Sequence, residues 1–101
     1  MDIGRVSEWQ ASVNYTLILS KEVCKELDRL DRKTEQRLQR RFDELSVDPY
    51  APRITDKVIT FPGQRYSRVG DRRIFFEVDD SSLIVTIIAI RPRGRAYPKG
   101  K

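Results

Sequence analysis

The run from Leu83 to Ile90 constrains the fold most, because it is apolar at nearly every position and leads straight into Arg91-Pro92-Arg93-Gly94-Arg95-Ala96-Tyr97. A strand without polar alternation belongs inside a sheet with both faces covered. Such a strand delivers an arginine-rich tip close to the middle of the domain. Pro92 stiffens the exit and Gly94 allows backbone to approach a ligand closely. Arg93 and Arg95, two apart in an extended segment, point the same way. Arginine, glycine and tyrosine together suit a nucleic-acid backbone and the faces of its bases.

The residues before this run are strand-like and punctuated by turns. Arg65 to Val69, Gly70-Asp71, Arg72 to Asp79, Asp80-Ser81 and then Leu83 to Ile90 read as an antiparallel meander, entered through a turn at Pro62-Gly63. If Gly70-Asp71 is a two-residue loop, Val69 opposes Arg72 and Arg68 opposes Arg73, with Tyr66 and Phe75 as the next pair. Side chains alternate along a strand, so Ile74, Phe76 and Val78 share the core face while Arg73, Phe75 and Glu77 share the other. Arg68 and Arg73 would then face each other as like charges, a destabilising pair unless an anion lies between them or each turns to solvent, Glu77 or Asp79.

Upstream, Tyr15 to Leu19 reads as a first strand. Ser20 is a good N-cap for a helix through about Leu30, with Glu22 in its first turn and Val23, Cys24, Leu27 and Leu30 on one stripe. A second helix, roughly Arg32 to Ser46, carries Leu38, Phe42 and Leu45. Its Lys33, Arg37, Arg40 and Arg41 read best as a solvated face with local ion pairs, and second as a basic ridge for a ribosome or protein contact. Asp48-Pro49-Tyr50-Ala51-Pro52 stops it, and Arg53 to Thr60, with Lys57, reads as a connection. The expectation is a single α+β domain over 1–101 of order β-α-α-β-β-β, its helical hairpin packed on one face of an antiparallel sheet. Residues 1–13, with Trp9 as their single large anchor, form a possible N-terminal extension.

Charge and missing residue types narrow the chemistry. Residues 1–50 hold 9 Lys+Arg against 10 Asp+Glu, and residues 51–101 hold 11 against 5, so a net of −1 and +6 makes up the overall +5. The basic excess of the second half points to a polyanionic partner. There is no histidine, which excludes Ser-His-Asp, Cys-His and paired-histidine catalysis. With a single cysteine, Cys24, no metal site and no internal disulfide is expected; Cys24 is read as a buried small apolar residue. No cofactor is implied. No run is long enough for a membrane span and no signal peptide is apparent at Met1 to Val13, so a cytoplasmic protein is expected.

From Tyr15 to Tyr97 the sequence resembles the RelE/ParE superfamily of toxins from toxin–antitoxin pairs, and most closely the archaeal-type RelE messenger-RNA interferases. The residues that carry the likeness are the strand–helix–helix opening, the segment Pro62-Gly63-Gln64-Arg65-Tyr66-Ser67-Arg68-Val69-Gly70-Asp71-Arg72-Arg73-Ile74-Phe75-Phe76-Glu77-Val78-Asp79, and the ending Pro92-Arg93-Gly94-Arg95-Ala96-Tyr97. The resemblance implies an endoribonuclease that cuts mRNA in the ribosomal A site and is suppressed by a small cognate antitoxin. It implies that Arg73 contacts the scissile phosphate and that Arg68 is a supporting basic residue. Arg93 or Arg95 would be the essential arginine near the C-terminus, and Tyr97 the substrate-orienting tyrosine. Arg65, Tyr66 and Arg91 are further RNA-binding candidates. The family's lysines on the strand before Arg68 are replaced here by Gln64 and Tyr66, so the general base is unassigned, with Lys57 and Tyr97 as candidates. Two other readings stand beside this one: a ParE-like inhibitor of DNA gyrase without nuclease activity, and an RNA-binding module without turnover.

Overall fold

The computed structural model describes residues 14–92. The order is β1 (Thr16–Leu19), α1 (Lys21–Arg29), α2 (Arg32–Val47), β2 (Thr55–Lys57), β3 (Gln64–Val69), β4 (Arg72–Asp79) and β5 (Ile84–Pro92). The five strands form one sheet in the order β1-β5-β4-β3-β2. β1 runs parallel to β5 and every other neighbouring pair is antiparallel. The expected α+β architecture is present, with one strand more than the sequence suggested. β2 falls in the stretch read as a connection; it is three residues long and exposes Asp56 and Lys57, so no alternation marks it.

The helices begin where the sequence placed them. The Ser20 side chain accepts the Val23 backbone N–H at 3.1 Å, and Asp31 caps α2 by accepting the Thr34 N–H at 3.2 Å. Caps of this kind are typically worth about 1 kcal/mol. Ser20 has a second task, because its hydroxyl donates to the Ile88 carbonyl at 2.9 Å and its backbone N–H to the Ile87 carbonyl at 3.1 Å. The start of α1 is thereby fastened to the middle of β5. α2 ends at Asp48, whose extended backbone (φ −151°) fits the residue before a proline, and Pro49 is fully buried.

Both helices lie on one face of the sheet. Val23 and Leu27 of α1 and Leu38, Phe42 and Leu45 of α2 pack against Ile74 and Phe76 of β4 and Val85, Ile87 and Ile90 of β5. Burying a side chain of this size stabilises by roughly 1.5–3 kcal/mol, so these ten residues are the main source of stability. Two expectations are corrected here. Cys24 is exposed, because the buried stripe of α1 follows Val23, Leu27 and the partly buried Leu30, and one residue further on is about 100° around the helix. β5 is central, yet Ile84, Thr86 and Ile88 stay half-exposed while Val85, Ile87, Ala89 and Ile90 are buried. Among the described residues a second layer is absent from the face turned away from the helices. No described helix is long and apolar enough to cross a membrane.

A polar clamp closes the end of the sheet opposite the β3–β4 turn. Asp80, in the β4–β5 turn, accepts the Tyr15 hydroxyl at 2.6 Å and the Tyr50 hydroxyl at 2.7 Å. It ties β1, the α2–β2 loop and the meander together. The two phenol donors, Tyr15 first, hold the Asp80 carboxyl below the usual carboxylate range. The same bond, helped by desolvation and the Asp80 charge, pushes Tyr15 up to about 12. A lowered carboxyl contributes stability above its ordinary value and loses it as pH falls through the lowered one; a raised phenol loses its share as pH climbs through about 12. The thermal midpoint of wild type should therefore fall at both the acid and the far-alkaline end. Asp80→Asn should lower the midpoint at neutral pH and flatten both limbs, and a wild-type profile in that variant would exclude the clamp.

Candidate nucleic-acid interface

The outer face, turned away from the helices, is organised by the β3–β4 turn. Gly70 takes a left-handed backbone (φ +59°), which a two-residue hairpin loop requires and glycine adopts without strain. Val69 pairs with Arg72, Arg68 with Arg73, and Tyr66 with Phe75, the register read from the sequence. Ser67, between Tyr66 and Arg68, is fully buried on the helix side. Its hydroxyl accepts from Arg41 of α2 at 2.7 Å, and the same guanidinium nitrogen donates to the Arg68 carbonyl at 2.8 Å. Arg41, expected on the solvated face of α2, is a brace that fixes β3 against the helix.

The register between β4 and β5 adds a third arginine. Val78, Glu77 and Phe76 pair in step with Val85, Thr86 and Ile87, but Phe75 pairs with Ala89, so Ile88 is one residue extra. A bulge shifts every pairing beyond it by one residue. Ile74 then meets Ile90 inside the core, and Arg73 meets Arg91. Without the bulge, Ile90 would oppose Arg73. Arg68, Arg73 and Arg91 therefore stand in one cross-strand row over three adjacent strands, which are spaced about 4.8 Å apart.

Beside that row runs an aromatic one. Tyr66 and Phe75 lie with ring centroids 6.2 Å apart, tilted by 42°, and the Arg73 guanidinium sits 5.5 Å from the Tyr66 centroid. A cation held over a ring is oriented by the ring's quadrupole. Arg91 is bonded to Glu22 in the first turn of α1, and Arg68 is exposed. On the far side of Tyr66, an open cleft of about 300 Å³ is lined by Pro52, Arg53, Ile54, Asp56, Tyr66 and Arg68. Cationic row, aromatic platform and adjoining cleft form a surface able to hold a phosphodiester and stack its bases.

Four of the residues singled out in the sequence, Tyr66, Arg68, Arg73 and Arg91, are brought together here. Arg65 and Lys57 are not. They pair with each other across β2 and β3 and alternate onto the helix side of the sheet. Arg65 lies 5.1 Å from the Tyr50 ring centroid and donates to Thr55 Oγ1 at 2.8 Å, so it braces the α2–β2 loop. Arg93, Arg95 and Tyr97 lie outside the described residues, as does the segment 1–13. β5 ends with Pro92 paired to Arg72, next to the arginine row. Arg53 and Asp56 line the cleft and were not identified from the sequence. The only signal for them was the pairing of Asp56 with Tyr66, which requires the short strand β2 to be known.

Residues 17–97 match the profile of the ParE toxin of type II toxin–antitoxin systems, parDE. The chain belongs to this toxin family. No curated relative matches the sequence. Among solved structures it is similar to a chain of the archaeal RelE–RelB complex from Pyrococcus horikoshii OT3, at 24% identity and a TM-score of 0.72, covering 81% of this chain and 98% of that one. It is also similar to a chain of the intact E. coli RelBE toxin–antitoxin complex, at 19% identity and a TM-score of 0.70, covering 80% and 99%. A third likeness is to the RelB–RelE complex from Methanococcus jannaschii, at 17% identity and a TM-score of 0.64, covering 83% and 99%. At these identities the structural likeness speaks for the fold, which is the RelE toxin fold expected from the sequence.

Like charges placed opposite one another favour an anion bound between them. Sulfate should therefore raise the thermal midpoint more than chloride at equal ionic strength, by a free-energy gain of about 1.4 kcal/mol at ten times the dissociation constant. Arg73→Gln should reduce the difference, and identical responses to the two salts would contradict an anion site.

Proposed function

We propose that this toxin is a ribosome-dependent mRNA endoribonuclease. The observation that carries the reading is the row Arg68–Arg73–Arg91 beside the Tyr66–Phe75 platform, in a chain without histidine. The reaction is phosphodiester transfer. The ribose 2′-oxygen attacks the adjacent phosphorus, the bond to the 5′-oxygen breaks, and the products are a 2′,3′-cyclic phosphate and a 5′-hydroxyl. The proton of the 2′-hydroxyl is taken up on the attacking side and one is returned to the leaving oxygen. Arginine cannot act as the base at neutral pH, so catalysis rests on in-line placement and on stabilising the charge that develops on the phosphoryl oxygens.

In this reading Arg73, steadied over Tyr66, contacts the scissile phosphate, Arg68 and Arg91 hold its flanks, and Tyr66 and Phe75 stack the neighbouring base. Arg93 or Arg95 and Tyr97 complete the site from the segment that follows β5, with Lys57 and Tyr97 as proton-transfer candidates. The side of the sheet taken by Lys57 makes Tyr97 the stronger of the two. The ribosome orders the message in its A site, which suits an enzyme whose own resources are positional. The RelE relatives are found in complexes with RelB; we infer a small cognate antitoxin for this chain also.

The match to ParE supports a second reading, inhibition of DNA gyrase without RNA cleavage, and one experiment separates the two. Brief induction of the wild type should arrest growth and produce new 5′ ends within ribosome-bound mRNA. Arg73→Ala and Arg95→Ala should each lower cleavage by about 10²–10³-fold. Growth arrest with intact mRNA and altered plasmid supercoiling would select the gyrase reading and sink the nuclease.

A further inference from the structure

The ion pairs of the described residues are unevenly distributed. Arg29 and Arg72 share Glu26 at 3.9 and 3.3 Å, Arg41 holds Glu44 at 2.7 Å, and Arg91 holds Glu22. Arg37, Arg40 and Arg68 form no ion pair with any described residue. These three line one cleft of about 210 Å³ between α2 and the β3–β4 turn. Its remaining walls are Arg41, Glu44, Val69 and Gly70, and the Glu44 carboxylate is already engaged by Arg41. Asp71, on the turn, borders the neighbouring recess on the other side of Arg37.

Local geometry holds the cluster together. Arg37 and Arg40 are three residues apart on α2 and so share a face. A Cβ added at Gly70 would stand 3.2 Å from an Arg37 guanidinium nitrogen, so the bare turn is what lets Arg37 come in so closely. Arg41 fixes the opposite wall through Ser67 and the Arg68 carbonyl. The Arg37 and Arg40 side chains, paired with no carboxylate among the described residues, on a braced cleft with room for a phosphate group, suit an anion. Arg68 belongs to the outer row and also borders this cleft, so it links the two across the β3–β4 turn.

We infer that this cleft is a second RNA-backbone site, which grips a phosphodiester remote from the bond being cut and continues the track that begins at the arginine row. The inference deepens the nuclease reading and rests on it for the identity of the polyanion. Flexible RNA is favoured over an acidic protein segment because guanidinium forks on a curved surface match successive phosphates.

The test is binding of the full chain to a fluorescent single-stranded RNA whose 2′-O-methyl riboses prevent cleavage, followed by anisotropy over a range of KCl. Arg37→Gln/Arg40→Gln should weaken binding about tenfold at low salt and flatten the log–log salt slope by about 0.7 for each phosphate no longer neutralised. Lys21→Gln/Lys25→Gln, the same change of charge on α1, should stay near wild type. Competition by an RNA duplex in place of a single strand distinguishes structured RNA from message as the source of the phosphate. Both arginines are exposed, and Arg40→Gln alone, with a smaller change of slope, serves if the double variant melts early. Equal affinity and slope in the two double variants would overturn the inference, as would preference for an acidic peptide over RNA. A chain that binds RNA through α2 but leaves mRNA uncut would keep this inference and reject the nuclease; mRNA cutting with unchanged binding in the α2 variant would do the reverse.

Discussion

The interaction on which the outer face depends is the pair of hydrogen bonds between Ser20 and β5. Ser20 caps α1, and it bonds the carbonyls of Ile87 and Ile88 at the point where β5 carries its extra residue. That bulge decides which side of the sheet the end of β5 presents. Because side chains alternate with a period of two, one residue of slip would exchange Ile90 with Arg91. Ile74 would then meet the smaller Ala89 in place of Ile90, and the row would be without its third arginine. One helix cap therefore serves stability and the site together.

The charges divide along the same line. On the helix side, arginines are structural: Arg41 braces β3, Arg72 meets Glu26, and Arg65 lies against Tyr50 and Thr55. Exposed or half-buried pairs of this kind are worth little individually, typically below about 1 kcal/mol, but they hold their owners in place. Around the β3–β4 turn, Arg37, Arg40 and Arg68 form no ion pair with a described residue. A fold that places like charges opposite one another across three strands carries a local conflict, and such conflicts are expected at functional surfaces. Arg73 is steadied over the Tyr66 ring, which reduces the entropy cost when an anion binds.

Much of this was legible in the sequence. Gly70-Asp71 between two alternating strands identifies a two-residue loop, and the pairing of Arg68 with Arg73 and Tyr66 with Phe75 follows from it. The helix start at Ser20 follows from cap chemistry. The bulge was not legible, because Ile87, Ile88, Ala89 and Ile90 are all apolar and no alternation records the change of face. For the same reason β5 read as covered on both sides. β2 was hidden by its length and polarity, and with it the places of Asp56, Lys57 and Arg65. Cys24 misled because a small apolar residue beside a buried valine fits a helical stripe loosely.

The central claim is that Arg68, Arg73 and Arg91 act as one phosphate-binding row on the face away from the helices. The most direct measurement is an NMR titration of the arginine side-chain N–H groups with a 2′-O-methyl RNA trinucleotide, which binds without being cut. The account predicts that the resonances of Arg68, Arg73 and Arg91 shift together along a single binding curve, with the Tyr66 and Phe75 ring protons following and Arg65 unmoved. Shifts centred on Arg65 and Lys57, with Arg73 still, would contradict it.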